Sequence, residues 1–217
     1  MKKLFFTTLI LLLGTVSFPQ VFEFSEKVND AGGNAAFVKL QNQPVANKQL
    51  QLLLIRELLP SKLQQQIEIK AVRNYEDKAG YTHFFYNFYF KGTEILNADY
   101  VLHCRDGRIV SANGSLPVAD YSTIKTVFSA DMNTVIPAVL KRTLLRQQAL
   151  KLNMQDLSVV NQGMFLLYLN GTVKMVARAE VKAKGRPVHD VFLLDAQTGE
   201  IVSEGSNICT YDHPAAA

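Results

Sequence analysis

Apolar positions along the chain change period several times, and the changes divide it into elements. Between Asn47 and Leu59 they recur at Leu50, Leu53, Leu54 and Leu58, an i, i+3, i+4, i+8 spacing that shares one helical face. Pro60 ends the run, because proline lacks an N–H and its ring clashes with the preceding turn. From Gln66 to Asn74 the period falls to 2: Ile67, Ile69 and, less cleanly, Ala71 alternate with Glu68 and Lys70, which predicts a strand. Asp77-Lys78-Ala79-Gly80 then turns the chain. Three apolar and aromatic runs follow between Gly80 and Leu116, separated by Lys91-Gly92-Thr93 and Arg105-Asp106-Gly107. Each separator holds the glycine that a tight hairpin with positive φ accepts at no steric cost. The pattern predicts a helix over 47–59 followed by a four-stranded antiparallel meander.

The same order recurs downstream. Ser129 to Thr134 offers several N-cap residues, and Ile136, Val139, Leu140 and Leu144 share a face of a second helix over Val135 to Leu152, with Pro137 acceptable only in its first turn. Met164 to Leu169 and Val173 to Ala183 flank Asn170-Gly171, the strongest short hairpin signal. Val188 to Leu194 and Glu200 to Ser203 flank Asp195-Ala196-Gln197-Thr198-Gly199. Gly107-Arg108-Ile109-Val110-Ser111 and Gly199-Glu200-Ile201-Val202-Ser203 close the two meanders with similar residues. The fold class is therefore α+β, with two tandem units, each a helix packed on a four-stranded antiparallel meander sheet. Val21 to Ala46, with Gly32-Gly33-Asn34 and Pro44, has no sustained period and reads as a loose lead-in holding a short strand or two.

At 217 residues and 48% apolar content the chain suits one large or two small globular domains. Its first residues depart from that average: Lys2 and Lys3 precede the apolar run Leu4 to Leu13, then Gly14, Ser17 and Pro19. This is the order of a secretory signal peptide, and the run is too short for a helix spanning the roughly 30 Å hydrocarbon core. Cleavage is expected between Ser17 and Gln20, where no cysteine is available for a lipid anchor. Without Lys2 and Lys3 the formal charge is +2, from 21 basic and 19 acidic residues. Lys141, Arg142, Arg146 and Lys151 read as a solvated helix face, so no nucleic-acid partner is expected. In an exported protein Cys104 and Cys209 form one disulfide or stay as two thiols.

Candidate chemistry is sparse. There is no His-Glu-x-x-His zinc pair, no Gly-x-Ser-x-Gly elbow and no catalytic-cysteine signature. His83 and His103 lie on strands that neighbour each other in the meander, with Cys104 adjacent, but consecutive strand residues point to opposite faces, so His103 and Cys104 are not expected to share an ion. They read as strand residues, and His189 as structural. Asp195 suits a turn-holding role through side-chain to backbone hydrogen bonds. The run Tyr81, Phe84, Phe85, Tyr86, Phe88, Tyr89, Phe90 puts aromatics on both faces of one strand. One face packs on the first helix; the other is covered either by the second unit or lead-in, or by a partner.

Gly80 to Gly114 resembles the fungalysin/thermolysin propeptide domain: Gly80, His83 and Phe84 stand in a Gly-x-x-His-aromatic segment, Lys91-Gly92 in its turn, Ile95 and Ala98 in its second strand, and Asp106-Gly107-Arg108-Ile109-Val110-Ser111 with Gly114 in its closing motif. Val176 to Gly205 is similar to a PepSY domain, whose Asp-Ala-x-Thr-Gly-Glu-Ile motif stands here as Asp195 to Ile201. Together these cover about Gln49 to Ser206. The sequence departs from the first family at Phe85, Asn87 and Phe88, where Arg and Gln are usual, and at Thr93-Glu94, where Ile-Pro is. The resemblance implies two tandem cystatin-like units: a signal peptide over 1–20, a lead-in over 21–46, a propeptide-like domain over 47–120, a PepSY-like domain over 129–206 and a linker or truncated end over 207–217. It implies a non-catalytic pro-region, secreted or periplasmic after signal cleavage, that inhibits and chaperones a zinc metallopeptidase catalytic domain in cis or in trans. No cofactor is expected in this chain, zinc being the partner's, and no membrane after signal removal. Phe85, Asn87 and Tyr89 on the aromatic strand, and Asp212 and His213 in the tail, are the candidate partner-binding residues. Cys209, Asp212 and His213 also carry zinc-binding atoms, so the tail is either a linker or a segment that reaches the partner's metal. The alternative is a stand-alone exported binding module that holds a peptide or envelope protein through the aromatic strand.

Overall fold

The computed structural model of the chain describes residues 22–30, 33–124 and 130–206. The signal segment over 1–20, the tail over 207–217 with Cys209, Asp212 and His213, and the pairing of Cys104 with Cys209 lie outside the described residues. The protein is α+β and mostly sheet, with two helices: β1 (Phe24–Asn29), β2 (Ala35–Leu40), α1 (Lys48–Leu58), β3 (Ile67–Glu76), β4 (Tyr81–Phe90), β5 (Thr93–Arg105), β6 (Arg108–Ser115), α2 (Met132–Arg146), β7 (Leu157–Leu169), β8 (Thr172–Ala183), β9 (His189–Asp195) and β10 (Ile201–Ser206). Among the described residues no helix is long and apolar enough to cross a membrane.

The hairpin glycines do what their spacing predicts. Lys91-Gly92, Asp106-Gly107 and Asn170-Gly171 each place two successive residues at positive φ, the conformation whose twist matches that of the flanking strands. The segment over 21–46 is more ordered than its pattern suggests: β1 and β2 form a hairpin, and β2 pairs antiparallel with β6 through Phe37, Val38 and Lys39. This extends the first meander at its closing edge and buries Phe22, Ala35, Val38 and Leu40.

The two helix-plus-meander runs share one sheet. The β4–β5 ladder jumps from the pair Asn87–Asp99 to the pair Tyr89–Glu94, which leaves Ile95 to Ala98 outside it, with Asn97 in the left-handed region at φ 58°. Ile95 and Leu96 pair instead, in parallel, with Leu166 and Leu167 of β7. Ile95 and Ala98 are buried in a cluster with Leu54, Ile55, Phe88, Tyr100 and Leu102 from the first run and Leu166, Met175 and Ala196 from the second. A smaller cluster lies under α2, made by Val135 and Val139 with Ala177, Ala179, Val181, Phe192 and Leu194.

Both helices present a buried stripe slightly rotated from the predicted one. In α1, capped by Asn47 Oδ1 accepting from Leu50 N at 2.9 Å, the buried residues are Gln51, Leu54, Ile55 and Leu58, whereas Leu53 is exposed. Gln51 belongs to the stripe because its polar atoms are satisfied there: Nε2 donates to Ala46 O at 3.1 Å and Oε1 accepts from the Tyr86 hydroxyl. In α2 the stripe is Val135, Val139 and Thr143, and Ile136 is exposed. That helix begins at Met132 under an Asp131 cap, so Pro137 falls beyond the first turn, and it ends at Arg146, six residues before the predicted end. Two short 3₁₀ turns, Gln148–Leu150 and Met154–Asp156, with Lys151 in the left-handed region, carry the chain into β7. Arg142 and Arg146, expected as a solvated face, clamp α2 onto the second meander: Arg142 donates to both oxygens of Glu204 at 2.7 and 2.6 Å, and Arg146 lies 3.6 Å from Asp190 and 3.4 Å from Glu204.

Two substitutions test the packing. A Cβ at Gly114 would sit 2.0 Å from the carbonyl oxygen of Asp99 on β5, a backbone atom that cannot swing aside. Gly114→Ala is expected to cost about 3 kcal/mol in urea unfolding. Gln51→Leu strands the buried Tyr86 hydroxyl and should cost about 2 kcal/mol; adding Tyr86→Phe removes the orphaned group and recovers part of that loss.

Candidate functional site

The two faces of β4 have different fates. Tyr86, Phe88 and Phe90 point inward and are buried with α1; burial pushes the Tyr86 phenol up to about 12. Tyr81, His83, Phe85, Asn87 and Tyr89 point outward and are half-buried. Side chains from the neighbouring strands of the same sheet lie against them.

A bulge on β3 makes this possible. Ile67, Ile69 and Ala71 pair with Phe90, Phe88 and Tyr86 on the inner face, but the register shifts at Val72, so Arg73 and Tyr75 pair with Phe85 and His83 on the outer one. Tyr75 stacks on Phe85 at 5.7 Å and tilts against His83 at 4.9 Å. Three cations lie over outer-face rings: Arg73 at 4.1 Å from Phe85, Lys70 at 4.0 Å from Tyr89 and Arg105 at 5.3 Å from Tyr81. Each contact contributes about 0.5 to 1 kcal/mol at such exposed positions. Asn87 Nδ2 donates to Glu94 Oε1 at 2.8 Å, and the Tyr89 hydroxyl donates to Glu94 Oε2 at 3.3 Å. Phe85, Asn87 and Tyr89 therefore share one surface, whereas Asp212 and His213 lie outside the described residues.

Beside these rings runs a chain of polar groups across four segments. Asp77 holds the turn into β4, its Oδ1 accepting from Ala79 N at 2.8 Å and Tyr81 N at 2.9 Å. Its Oδ2 lies 2.9 Å from His83 Nε2, and that hydrogen bond, ahead of those from the backbone, holds the carboxyl below its ordinary value of 3.8. His83 Nδ1 faces His103 Nδ1 at 2.7 Å, the rings crossing at 83°, and His103 Nε2 meets Asn113 Oδ1 on β6. Cys104, next in sequence, points into the core, where burial pushes its thiol up to about 11. Alternation thus separates His103 from Cys104 as expected, and the thiol is held far from nucleophilic ionisation.

Away from this face, His189 accompanies Glu180, with Nε2 2.8 Å from Glu180 Oε2. Asp195 holds its turn by accepting from Gln197 N and Thr198 N at 2.9 and 3.2 Å, and pairs with Lys174 at 3.1 Å. Among the described residues no three His, Cys, Asp or Glu side chains converge as ligands for a metal. The outer face presents stacked rings, hydrogen-bonded polar tips and mixed charge.

This face is built by β3 to β6, and those strands carry the comparison that matters. Residues 68–116 match the fungalysin/thermolysin propeptide motif. The match runs from Glu68 at the start of β3 to Leu116 just after β6 and includes Gly114, whose close approach to Asp99 admits no side chain. The motif is a propeptide element and not a catalytic one. No curated protein matches the chain. Among solved structures, the Bacillus megaterium YpeB C-terminal domain is similar at 10% sequence identity and a TM-score of 0.34, covering 81% of this chain and 73% of that one.

Two features had no clear sequence signal, the Val72 bulge and the Gln51 contact. The carboxylate of Asp77 gives a pH test. A carboxyl whose folded pKa is depressed contributes stability that is present above its unfolded value and lost as pH falls through the folded one. The stability difference between the protein and Asp77→Asn, followed by denaturant unfolding from pH 7 to pH 2.5, should persist at pH 5 and close only below 3.8.

Proposed function

We propose that the chain is the pro-region of a secreted thermolysin-like zinc peptidase, acting as its inhibitor and folding assistant. The observation that carries this reading is the coincidence of the propeptide motif over 68–116 with the strands that build the half-covered outer face. In this reading the chain comprises two tandem cystatin-like units, the propeptide-like one over 47–120 and a PepSY-like one over 129–206, preceded by a cleaved signal peptide. It is exported, and zinc belongs to the catalytic domain, in cis or in trans. Phe85, Asn87 and Tyr89 dock beside the cleft of that domain, and the segment with Asp212 and His213 leads into it. Inhibition is steric, so it needs no chemistry from this chain.

A second reading, a stand-alone exported module that holds a peptide or envelope protein, is favoured by the same half-exposed aromatics. The two differ in what they bind. Mixing the purified chain with thermolysin-like peptidases and following residual activity and refolding yield tests the first reading; no inhibition and no gain in refolding across several enzymes would overturn it. If it holds, Phe85→Ala and Tyr89→Ala each raise the inhibition constant by roughly tenfold, as truncating a central aromatic anchor does, while circular dichroism confirms that both variants stay folded.

A further inference from the structure

The outer face contains an arrangement that peptidase docking does not use. His83 and His103 occupy directly opposed positions on β4 and β5 and turn their Nδ1 atoms toward each other at 2.7 Å. Each ring is held from behind by an oxygen: Asp77 Oδ2 at 2.9 Å from His83 Nε2, and Asn113 Oδ1 against His103 Nε2. Asp77 is itself anchored by two backbone N–H groups, and Asn113 sits on β6, so both supports belong to the sheet or its turn. Metal-binding histidines characteristically donate their second ring N–H to a carboxylate or carbonyl oxygen, which fixes the tautomer and ring direction. Here both Nε2 atoms lie against such an oxygen, and the two Nδ1 atoms face each other across the point a shared ion would occupy.

A divalent cation between the two Nδ1 atoms takes the place of the proton they share in their hydrogen bond, and that proton leaves to solvent. Geometry permits the exchange: metal to imidazole bonds of about 2.0 to 2.1 Å put two nitrogens about 2.9 Å apart at a right angle and about 3.4 Å apart at a tetrahedral one. Opening the pair from 2.7 Å takes about 0.2 Å of ring movement for the right-angle arrangement and about 0.7 Å for the tetrahedral one.

We infer that His83 and His103 form a two-histidine site for a late first-row divalent cation, bound through both Nδ1 atoms, with Asp77 and Asn113 as positioning residues. Imidazole nitrogens select zinc and copper over magnesium and calcium. With two protein ligands the ion keeps open positions for water, on the outer face of the sheet. The site neither requires nor depends on a peptidase partner.

Zinc chloride is the probe, added to the purified chain while the histidine ring nitrogens are followed by ¹⁵N NMR. The expected result is a joint shift of the His83 and His103 Nδ1 signals, saturating at one equivalent, with the His189 ring unmoved. His83→Gln or His103→Gln abolishes it, and Asp77→Asn weakens zinc binding by roughly 10- to 100-fold, as loss of such a support does. The inference is overturned if the two Nδ1 signals stay in place at millimolar zinc, if Nε2 becomes the bound atom, or if zinc moves only His189 or His213. Because the unsubstituted protein reports which nitrogen is bound, the result stands even where a variant fails to fold.

Discussion

The two meanders join where β5 leaves β4, over Ile95 to Ala98. Had the ladder set by the Lys91-Gly92 turn continued, β4 and β5 would pair along their whole length. Instead Asn97 adopts a left-handed conformation, the ladder resumes three residues displaced, and Ile95 and Leu96 pair with Leu166 and Leu167. The displacement also changes which β5 residues face inward, from Ile95 before the kink to Ala98, Tyr100, Leu102 and Cys104 after it. One kink thus joins the two meanders, fills the cluster between them and decides which side chains reach the outer face.

That last consequence governs the candidate site. In the undisplaced register His83 would oppose Tyr100. In the observed one it opposes His103, and Phe85 opposes Val101. The Val72 bulge acts in the same way on β3, swinging Arg73 and Tyr75 outward over Phe85 and His83. Two local departures from ideal pairing, one on each flank of β4, therefore assemble the aromatic, cationic and histidine groups on one surface. Bulges often re-aim side chains near functional sites, and here they do so from both sides.

This also explains what could be read from the sequence. Helices and hairpins were legible because glycine turns and apolar spacing are local signals; the Asn170-Gly171 and Asp106-Gly107 turns fall where predicted, with the conformations their residues favour. The inner face of β4 followed from its aromatics. The register did not, because the Asn97 kink and the Val72 bulge are set by tertiary pairing that no short window contains. Gln51 was invisible for a similar reason: a glutamine on a helix reads as solvent-facing until Tyr86 and Ala46 supply its partners. The lead-in was expected to hold a short strand or two and holds β1 and β2, but their pairing with β6 was not legible because it is distant in sequence.

In the proposed reading the outer face holds a partner, and its groups are already arranged for that. A catalyst needs a nucleophile or base with a free, aimed atom. Here the Cys104 thiol is buried and raised to about 11, and both ring nitrogens of His83 already have partners. Binding asks for the opposite, groups already fixed where the partner needs them, because each side chain immobilised on association costs about 0.5 to 1.5 kcal/mol. Asn87 and Tyr89 are tied to Glu94, and Phe85 lies between Arg73 and Tyr75, so much of that ordering is complete before any partner arrives. Asn87 and Glu94 come from opposite strands of the β4–β5 hairpin and bond to each other, so this part of the face is fixed by the sheet itself.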